Sequence, residues 1–376
     1  MERYKLNLGI LTSSRADYGI YRPLLKHLIK DHNIHFSIIA FGPHLSEFYG
    51  LTKREILEDG FVINYEIETL HEIDDSSVAI SKNLGETAIS FSKFWLENST
   101  TFDLVLCLGD RYEMLSAVLS SIPFNVKIAH IHGGEVTLGS IDNKFRNALT
   151  QFSDYHFTAT EANTRKVEDM VGNEKKVFKV GAMGIDNVLQ IPLFSKSEFY
   201  EKFGIALNSP ILTTIHPETE DLENNVTNTN IFIDAMLQIN DQLIITLPNS
   251  DTMGLKIRDL LLNRLSSRND TYLVESFGTR GYFTCMHYSS FLLGNTSSGI
   301  IEAASYNKFV INLGNRQLGR ERSNNVIDCP FDLEAIIDIV QKTRGKEYFG
   351  SNIYGDGQAS SRIYHKLIDI CSQDLI

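Results

Sequence analysis

The sequence contains few of the residues that build disulfide-stabilised or zinc-stabilised domains. Only 4 of its 376 residues are cysteine, and no two of them form a C-x-x-C pair. Three of the four lie among apolar neighbours, where free cysteine usually behaves as a small buried hydrophobic residue. The sequence therefore predicts neither a disulfide framework nor a zinc site. The four residues are Cys107, Cys285, Cys329 and Cys371.

Long hydrophobic runs and an excess of basic charge are also absent. No apolar stretch approaches the roughly 20 residues of a membrane-spanning helix, and the segment Met1–Ile10 lacks the apolar core of a signal peptide. The formal net charge is -12 and the pI is about 5.4, which gives no attraction to nucleic acid. We expect a cytoplasmic protein that has neither a membrane nor nucleic acid as its partner. A small anion can still bind an acidic protein through a few cations and helix N-termini.

What is present indicates two α/β domains. The composition, 43% hydrophobic and 22% charged, is that of a globular protein, and roughly 150 residues per domain suggests two domains. Short apolar runs alternate with amphipathic stretches, which predicts parallel sheets covered by helices on both faces. We expect two Rossmann-like domains facing across a cleft, at residues 1–188 and 189–355. A C-terminal helix, residues 356–376, is expected to pack back on the first domain.

The individual elements follow from the same pattern. The predicted strands are Leu6–Thr12, Phe36–Phe41, Leu104–Leu108, Val126–Ile131, Tyr155–Ala159, Pro210–Ile215, Leu243–Leu247, Phe291–Leu293, Val310–Leu313 and Val326–Asp328. The predicted helices are Tyr18–Lys30, Ile80–Leu96, Glu161–Met170 and Asn230–Ile239. Pro23 is compatible with the first of these helices only if it lies in an early turn.

Polar motifs follow many of these strands directly. Ligands of open α/β sheets bind beyond the carboxyl ends of the strands, so these motifs predict one cleft between the two domains. In chain order they are S-S-R-A-D-Y-G (13–19), G-D-R-Y-E (109–113), H-I-H-G-G-E (130–135), H-P-E-T (216–219), P-N-S-D (248–251), G-N-T-S-S-G-I-I-E (294–302) and G-N-R-Q-L-G-R-E (314–321).

Three carboxylates are candidates for acid and base chemistry. Asp110 and Glu135 follow different strands, and Asp142 precedes a predicted helix that contains Arg146. Carboxylates that converge repel one another, which raises at least one pKa and produces acid and base forms together. A lone carboxylate in such a position can equally cap a helix. His216, which follows the first strand of the second domain, is either a facing catalytic group or a structural histidine.

The segment Gly294–Gly299 is the candidate phosphate site. It follows a strand, precedes a helix-compatible run and offers hydroxyl and amide groups to an anion. Its alternative role is a helix cap made by Ser297 or Ser298. Glu302 lies one helical turn further, where a carboxylate can accept from ribose hydroxyls or simply be solvated. Arginine forks suit phosphate oxygens but also form surface salt bridges; the candidates are Arg15, Arg316 and Arg320.

Several function classes are excluded by missing motifs. The chain has no G-x-x-x-x-G-K-[ST] loop and no G-x-G-x-x-G after its first strand, which argues against an ATPase and a dinucleotide oxidoreductase. No G-x-S-x-G nucleophile elbow is present. His130 and His132 have the spacing of a metal-binding pair on a strand, but no third ligand is evident, so no metal is predicted.

Together with I-D-N-K-F-R (141–146) and I-Y-G-D-G (353–357), these motifs resemble those of the hydrolysing UDP-N-acetylglucosamine 2-epimerases of sialic-acid biosynthesis, in the same order from about Leu8 to Gly357. The resemblance implies a glycosyltransferase-B-like fold and the conversion of UDP-GlcNAc and water to N-acetylmannosamine and UDP through 2-acetamidoglucal. It implies no metal and no nicotinamide or other cofactor. It also suggests a homodimer or homotetramer.

The resemblance carries roles to matching residues. Asp110, Glu135 and Asp142 match the acid and base carboxylates, and His216 matches a histidine near the leaving diphosphate. The matching nucleotide-binding positions are Arg15, Ser297, Ser298, Glu302 and Arg320, with Glu302 on the ribose. Further candidate substrate-binding residues in the motifs are Arg111, Arg146, Asn249, Gly299 and Arg316. Which carboxylate removes the proton and which returns it stays open.

Two residues depart from the family pattern. Asn143 stands where an acidic residue is usual, and Asn147 follows Arg146 where histidine is common. Neither replaces a main carboxylate, so activity is still expected, and the departures bear on sugar preference. The alternative substrate is UDP-2,4-diacetamido-2,4,6-trideoxyglucose, on a route to legionaminic acid. Two alternative functions are a UDP-sugar glycosyltransferase, which needs an acceptor, and a non-catalytic UDP-sugar sensor.

Overall fold

The computed structural model describes residues 6–71, 77–136, 141–218, 223–248 and 253–374, which form two compact α/β units. Among these residues, the first unit comprises the chain up to Val136, residues 141 to Asn187, and the chain from Tyr354 onward. The second unit comprises Val188–Ile353. Of the predicted site residues, Asn249 lies outside the described residues.

The first unit is built on a parallel sheet of seven strands. Their order across the sheet is β3-β2-β1-β4-β5-β6-β7. The strands are β1 (Leu6–Thr12), β2 (Ile34–Phe41), β3 (Ile63–Ile67), β4 (Leu104–Leu108), β5 (Ile128–Ile131), β6 (Tyr155–Thr158) and β7 (Val177–Lys179). Its helices are α1 (Arg15–Leu28), α2 (Lys53–Glu58), α3 (Ser77–Asn98), α4 (Tyr112–Leu119), α5 (Asp142–Phe152), α6 (Glu161–Val171) and α14 (Ala359–Asp374). Helix α7 (Met183–Gln190) carries the chain into the second unit.

The second unit repeats this plan with six parallel strands. Their order is β10-β9-β8-β11-β12-β13. The strands are β8 (Ile211–Thr214), β9 (Leu243–Thr246), β10 (Thr271–Val274), β11 (Phe291–Gly294), β12 (Val310–Leu313) and β13 (Val326–Cys329). The helices are α8 (Lys196–Phe203), α9 (Asn225–Gln238), α10 (Gly254–Leu265), α11 (Gly278–Tyr288), α12 (Ser297–Ile301) and α13 (Leu333–Thr343). Two parallel Rossmann-like sheets confirm the predicted fold class.

Each sheet is covered on both faces, which explains why its central strands are continuously apolar. In the first unit, Leu8 and Ile10 contribute to one core and Leu11 and Val105 to the other. The second unit likewise has two cores, one on each side of its sheet. Helix α14 packs against α1 through the core of the first unit that contains Leu8 and Ile10, so the C-terminal segment is part of the first unit.

Helix α1 corrects the prediction for Pro23. The helix begins at Arg15 rather than Tyr18, so Pro23 lies in its interior instead of an early turn. Proline cannot donate to the carbonyl four residues earlier, which here belongs to Gly19. The side-chain amide of Asn187 donates to that carbonyl at 2.6 Å. A residue distant in sequence thus satisfies the acceptor that Pro23 leaves without its helical partner.

None of the helices in the described part of the chain is both apolar enough and long enough to cross a membrane.

Candidate active site

The motifs of the first unit that follow β1 and β4 lie at the point in the sheet where the strand order reverses. Strands β1 and β4 are neighbours, and the chain leaves them in opposite directions across the sheet, which is where ligands of such sheets bind. Asp110 follows β4, and the segment that opens α1 follows β1. The carboxylate of Asp17 accepts from the backbone N–H groups of Ser13 and Ser14 at 2.6 and 2.7 Å. These bonds fix the turn between β1 and α1, and leave Arg15 exposed at the start of the helix.

Asp110 lies at the centre of a charged cluster. Its carboxylate forms an ion pair with Arg146, which is only 5% exposed. Burial raises the pKa of Asp110, the neighbouring carboxylates of Asp142 and Glu135 raise it further, and Arg146 opposes them. The three predicted carboxylates and Arg146 are thus close enough to interact electrostatically, as acid and base chemistry requires.

Two histidines hold the neighbouring backbone and side chains of this cluster. The Nε2 atom of His130 donates to the Gly109 carbonyl at 2.8 Å, and burial lowers the pKa of His130 to about 3, so this ring is neutral. His132 lies 2.6 Å from Glu135, between Nδ1 and Oε1. The two rings therefore have different partners: His130 holds the carbonyl of the residue before Asp110, and His132 contacts the predicted catalytic carboxylate of Glu135 itself.

Arg111 is held by an adjacent acid. Its guanidinium donates to both carboxylate oxygens of Glu113, at 2.7 and 3.1 Å. Glu113 is 1% exposed, so the pair anchors the start of α4 in the protein interior. Arg111 itself stays 45% exposed in its side chain and follows directly after Asp110.

The second unit has a corresponding reversal point between β8 and β11. Asn295, fully buried, receives the backbone N–H of His216 at 2.7 Å and donates to the His216 carbonyl at 2.8 Å. Arg316 and Gln317 both donate to the Asn295 carbonyl, at 3.3 and 2.8 Å. Three motifs that are distant in sequence thus meet around one asparagine.

Glu218 fixes the turn after β12. Its carboxylate accepts from the backbone N–H groups of Asn315 and Arg316 at 2.8 and 3.2 Å. A Cβ added to Gly314, whose φ is +69°, would collide with the same carboxylate, so this position requires glycine. Glu218 therefore determines the path of the segment that carries Arg316 and Arg320.

The segment Gly294–Glu302 differs from prediction in one respect. The helix cap is Thr296, whose hydroxyl accepts from the Ser298 amide at 3.4 Å, and neither Ser297 nor Ser298 is the cap. The hydroxyl of Ser298 instead interacts with Glu302 and with the phenol of Tyr282. The two serine hydroxyls are thus not used to start the helix.

Glu302 shares its surroundings with Arg320. One of its carboxylate oxygens and the Arg320 Nε atom are buried without a hydrogen-bond partner among the described residues. Burial raises the pKa of Glu302 to about 7, while Ser298 and Arg320 lower it. This carboxyl group therefore changes protonation near neutral pH.

The raised pKa of Glu302 predicts a pH-dependent stability of the second unit. A carboxyl group whose pKa is higher in the folded state contributes stability at low pH, and that contribution is lost as the pH rises through about 7. We expect Glu302→Gln to flatten the fall in melting temperature between about pH 5 and about pH 8, measured by calorimetry. Glu334→Gln, at an exposed position in α13, is the matched control. Equal pH slopes in wild type and Glu302→Gln would contradict this assignment.

The structure brings the predicted residues together in two groups, one in each unit. The first unit gathers Asp110, Glu135, Asp142 and Arg146, while the second gathers His216, Ser297, Ser298, Gly299, Glu302, Arg316 and Arg320. Sequence reasoning missed the residues that hold these groups in place, including Asp17, His132, Glu218, Tyr282 and Asn295. All of these residues except Tyr282 lie inside the motifs or beside strand ends, and that position could have identified them from the sequence. No group of three or more metal-ligating side chains capable of holding an ion occurs among the described residues.

Comparisons with known proteins place the sequence in a family. The sequence model of a family described as UDP-N-acetylglucosamine 2-epimerase matches residues 26–368. A UDP-N,N'-diacetylbacillosamine 2-epimerase (hydrolyzing) of Legionella pneumophila is 38% identical over 97% of both chains. The polysialic acid biosynthesis protein P7 of Escherichia coli is 31% identical over 95% of this chain and 89% of its own.

A solved structure shows the same fold. The UDP-GlcNAc 2-epimerase from Neisseria meningitidis, bound to UDP-GlcNAc, superposes with a TM-score of 0.80 at 18% identity, over 97% of this chain and all of its own. This likeness extends over both units and includes both parallel sheets. Because the family match covers most of the chain and the fold agrees, the chain belongs to the UDP-N-acetylglucosamine 2-epimerase family.

Proposed function

We propose that this protein is a hydrolysing 2-epimerase, which converts a UDP-2-acetamido sugar and water to UDP and the free sugar inverted at C2. The observation that carries the proposal is the cluster of Glu135, Asp142 and the buried Arg146 around Asp110. In such a cluster, burial and the neighbouring carboxylates raise the pKa of Asp110, which favours its protonated form. A reaction that removes a proton from one face of C2 and returns one to the other requires both an ionised and a protonated carboxyl group.

In the proposed reaction, an ionised carboxylate removes the hydrogen at C2 while the bond between C1 and the UDP oxygen breaks. UDP leaves and 2-acetamidoglucal remains. Water then bonds to C1 and gives up a proton to a carboxylate, while a carboxylic acid protonates C2 on the opposite face. Asp110, whose pKa burial raises, is suited to exchange protons in this sequence.

The residues of the second unit are proposed to bind the nucleotide. Ser297, Ser298 and Gly299 offer hydroxyl and amide groups to the diphosphate, and Glu302 accepts from the ribose. The cations proposed to meet the phosphate oxygens are Arg15, Arg316 and Arg320. His216, whose backbone is fixed on both sides by Asn295, is proposed to lie near the leaving diphosphate.

Two substrates are consistent with this chemistry. UDP-GlcNAc would give N-acetylmannosamine, the precursor of sialic acid, and the likeness to a polysialic acid biosynthesis protein supports it. UDP-2,4-diacetamido-2,4,6-trideoxyglucose is UDP-N,N'-diacetylbacillosamine, the sugar named for the Legionella pneumophila relative. The two differ in their substituents at C4 and C6.

Turnover in deuterated water tests the reaction. With the correct UDP-sugar, we expect NMR to show UDP and the free 2-epimer carrying deuterium at C2, because the returned proton comes from solvent. A product without deuterium at C2 would contradict the elimination. Release of UDP that depends on an added acceptor would indicate a glycosyltransferase. Binding of both UDP-sugars without turnover would indicate a sensor.

A further inference from the structure

One face of helix α5 carries three polar side chains with buried, unpartnered atoms. Asn143, Arg146 and Asn147 are three and four residues apart, so they lie side by side on the helix. Asn143 Oδ1, Asn147 Oδ1, Arg146 Nε and Arg146 Nη1 are all buried, and none of them has a hydrogen-bond partner among the described residues. The face thus presents two acceptors and two donors.

These four atoms are not free to turn toward bulk water. Arg146 is 5% exposed, and its remaining nitrogen is fixed by the ion pair with Asp110. Leaving a buried polar group unpaired is costly, so native proteins pair nearly all such groups with protein, water or a ligand. Four such atoms within about one helical turn, next to the proposed catalytic carboxylate, indicate a polar binding surface.

The chemistry of the four atoms matches acylamino groups. An acylamino group presents one N–H donor and one C=O acceptor, held in a plane. The asparagine oxygens accept from N–H groups, and the arginine N–H groups donate to C=O groups. Two acceptors and two donors are the complement of two acylamino groups. A sugar with one acetamido group and a hydroxyl at C4 has only one acylamino group, which can pair with one of the acceptors and one of the donors.

We infer that Asn143, Arg146 and Asn147 form a recognition site for acylamino groups, which selects a UDP-sugar with such groups at both C2 and C4. This inference rests on the proposed function and adds the substrate class and the residues that choose it. Asn143 and Asn147 act as specificity residues, while Arg146 also positions Asp110.

The decisive comparison uses two sugars that differ only at C4. The wild-type protein is assayed for UDP release with UDP-2,4-diacetamido-2,4,6-trideoxyglucose and with UDP-2-acetamido-2,6-dideoxyglucose, which has a hydroxyl at C4. We expect kcat/KM to favour the diacetamido sugar by about tenfold or more, because a hydroxyl at C4 has no C=O to accept from Arg146 and leaves a buried donor unpaired. UDP-GlcNAc, which also carries a C6 hydroxyl, is the third substrate.

Variants then locate the selectivity. Asn143→Leu and Asn147→Leu keep the approximate side-chain size and remove the acceptor. The variant that loses the acceptor for the C4 group is expected to reduce the preference for the diacetamido sugar by about tenfold, while the other variant lowers kcat/KM for both sugars alike. Asn143→Ala and Asn147→Ala serve the same purpose without added bulk. Gln151→Leu, an amide at an exposed position of α5, is the matched control and is expected to keep the wild-type preference.

The outcomes separate the inference from the proposed function. If the wild type releases no UDP from any of the three sugars, the proposed function fails. If the wild type turns over both C4 variants of the sugar equally, or if both asparagine variants keep the wild-type preference, the epimerase proposal stands and the recognition site is wrong.

Discussion

Replacing Asp110 with asparagine is expected to lower kcat by about 10²–10⁴-fold, the usual cost of losing a general acid or base. The amide has the shape of the carboxyl group but cannot carry a proton between C2 and solvent. UDP affinity should stay within a few-fold of the wild type, because Asp110 is not among the groups proposed to bind the nucleotide, most of which belong to the second unit. Steady-state kinetics and titration calorimetry with UDP provide the two measurements.

A loss of stability has to be separated from this loss of chemistry. Arg146 is buried, and Asp110→Asn removes the carboxylate that forms an ion pair with it, which costs folding free energy. Melting temperatures are therefore measured alongside the rates. Asp154→Asn is the matched control. Asp154 directly precedes β6, at the amino-terminal ends of the strands, whereas Asp110 follows β4 at their carboxyl ends. The Asp154 carboxylate accepts from the Ile128 amide at 2.9 Å. A near-normal kcat in folded Asp110→Asn would remove Asp110 from the chemistry.

The central strands were predictable because burial on both faces leaves a simple signal. Leu6–Thr12, Leu104–Leu108 and Val310–Leu313 have the predicted bounds. Strands β3, β7 and β10 were not predicted. All three are edge strands with at most one buried residue, so their sequences carry no long apolar run.

Contacts between distant residues were beyond sequence reasoning. Pro23 lies inside α1, and the Gly19 carbonyl to which it cannot donate accepts instead from the side-chain amide of Asn187. The motifs after β8 and β11 were visible as separate strings, but the pairing of Asn295 with His216 appears only once the strands are adjacent. The motif positions could therefore be predicted, while the bonds that hold them could not.

Asp186 also makes contacts with residues that are distant in sequence. Asp186→Ala is expected to lower the free energy of unfolding of the first unit by about 3–5 kcal/mol. Its side chain is fully buried and accepts three hydrogen bonds, from the Ala359 amide at 3.0 Å, the Ser360 amide at 2.7 Å and the Ser360 hydroxyl at 2.5 Å. Asp186→Ala would leave these donors at the start of α14 unpaired. The apolar contacts between α14 and α1, made by Ile363 and Leu367 among others, would weaken with them.

The single tryptophan, Trp95, makes the measurement specific to the first unit, because it is buried there and the second unit has no tryptophan. Urea unfolding followed by Trp95 fluorescence should therefore show the shift in midpoint directly. Asp356→Ala is the matched control: its ion pair with Arg362 is mostly exposed, so its loss should cost about 1 kcal/mol or less. Similar midpoints for the two variants would mean that α14 is held by its apolar face alone. A shift confined to Asp186→Ala would show that one buried carboxylate, 173 residues from its partner Ala359, fixes the C-terminal helix to this unit.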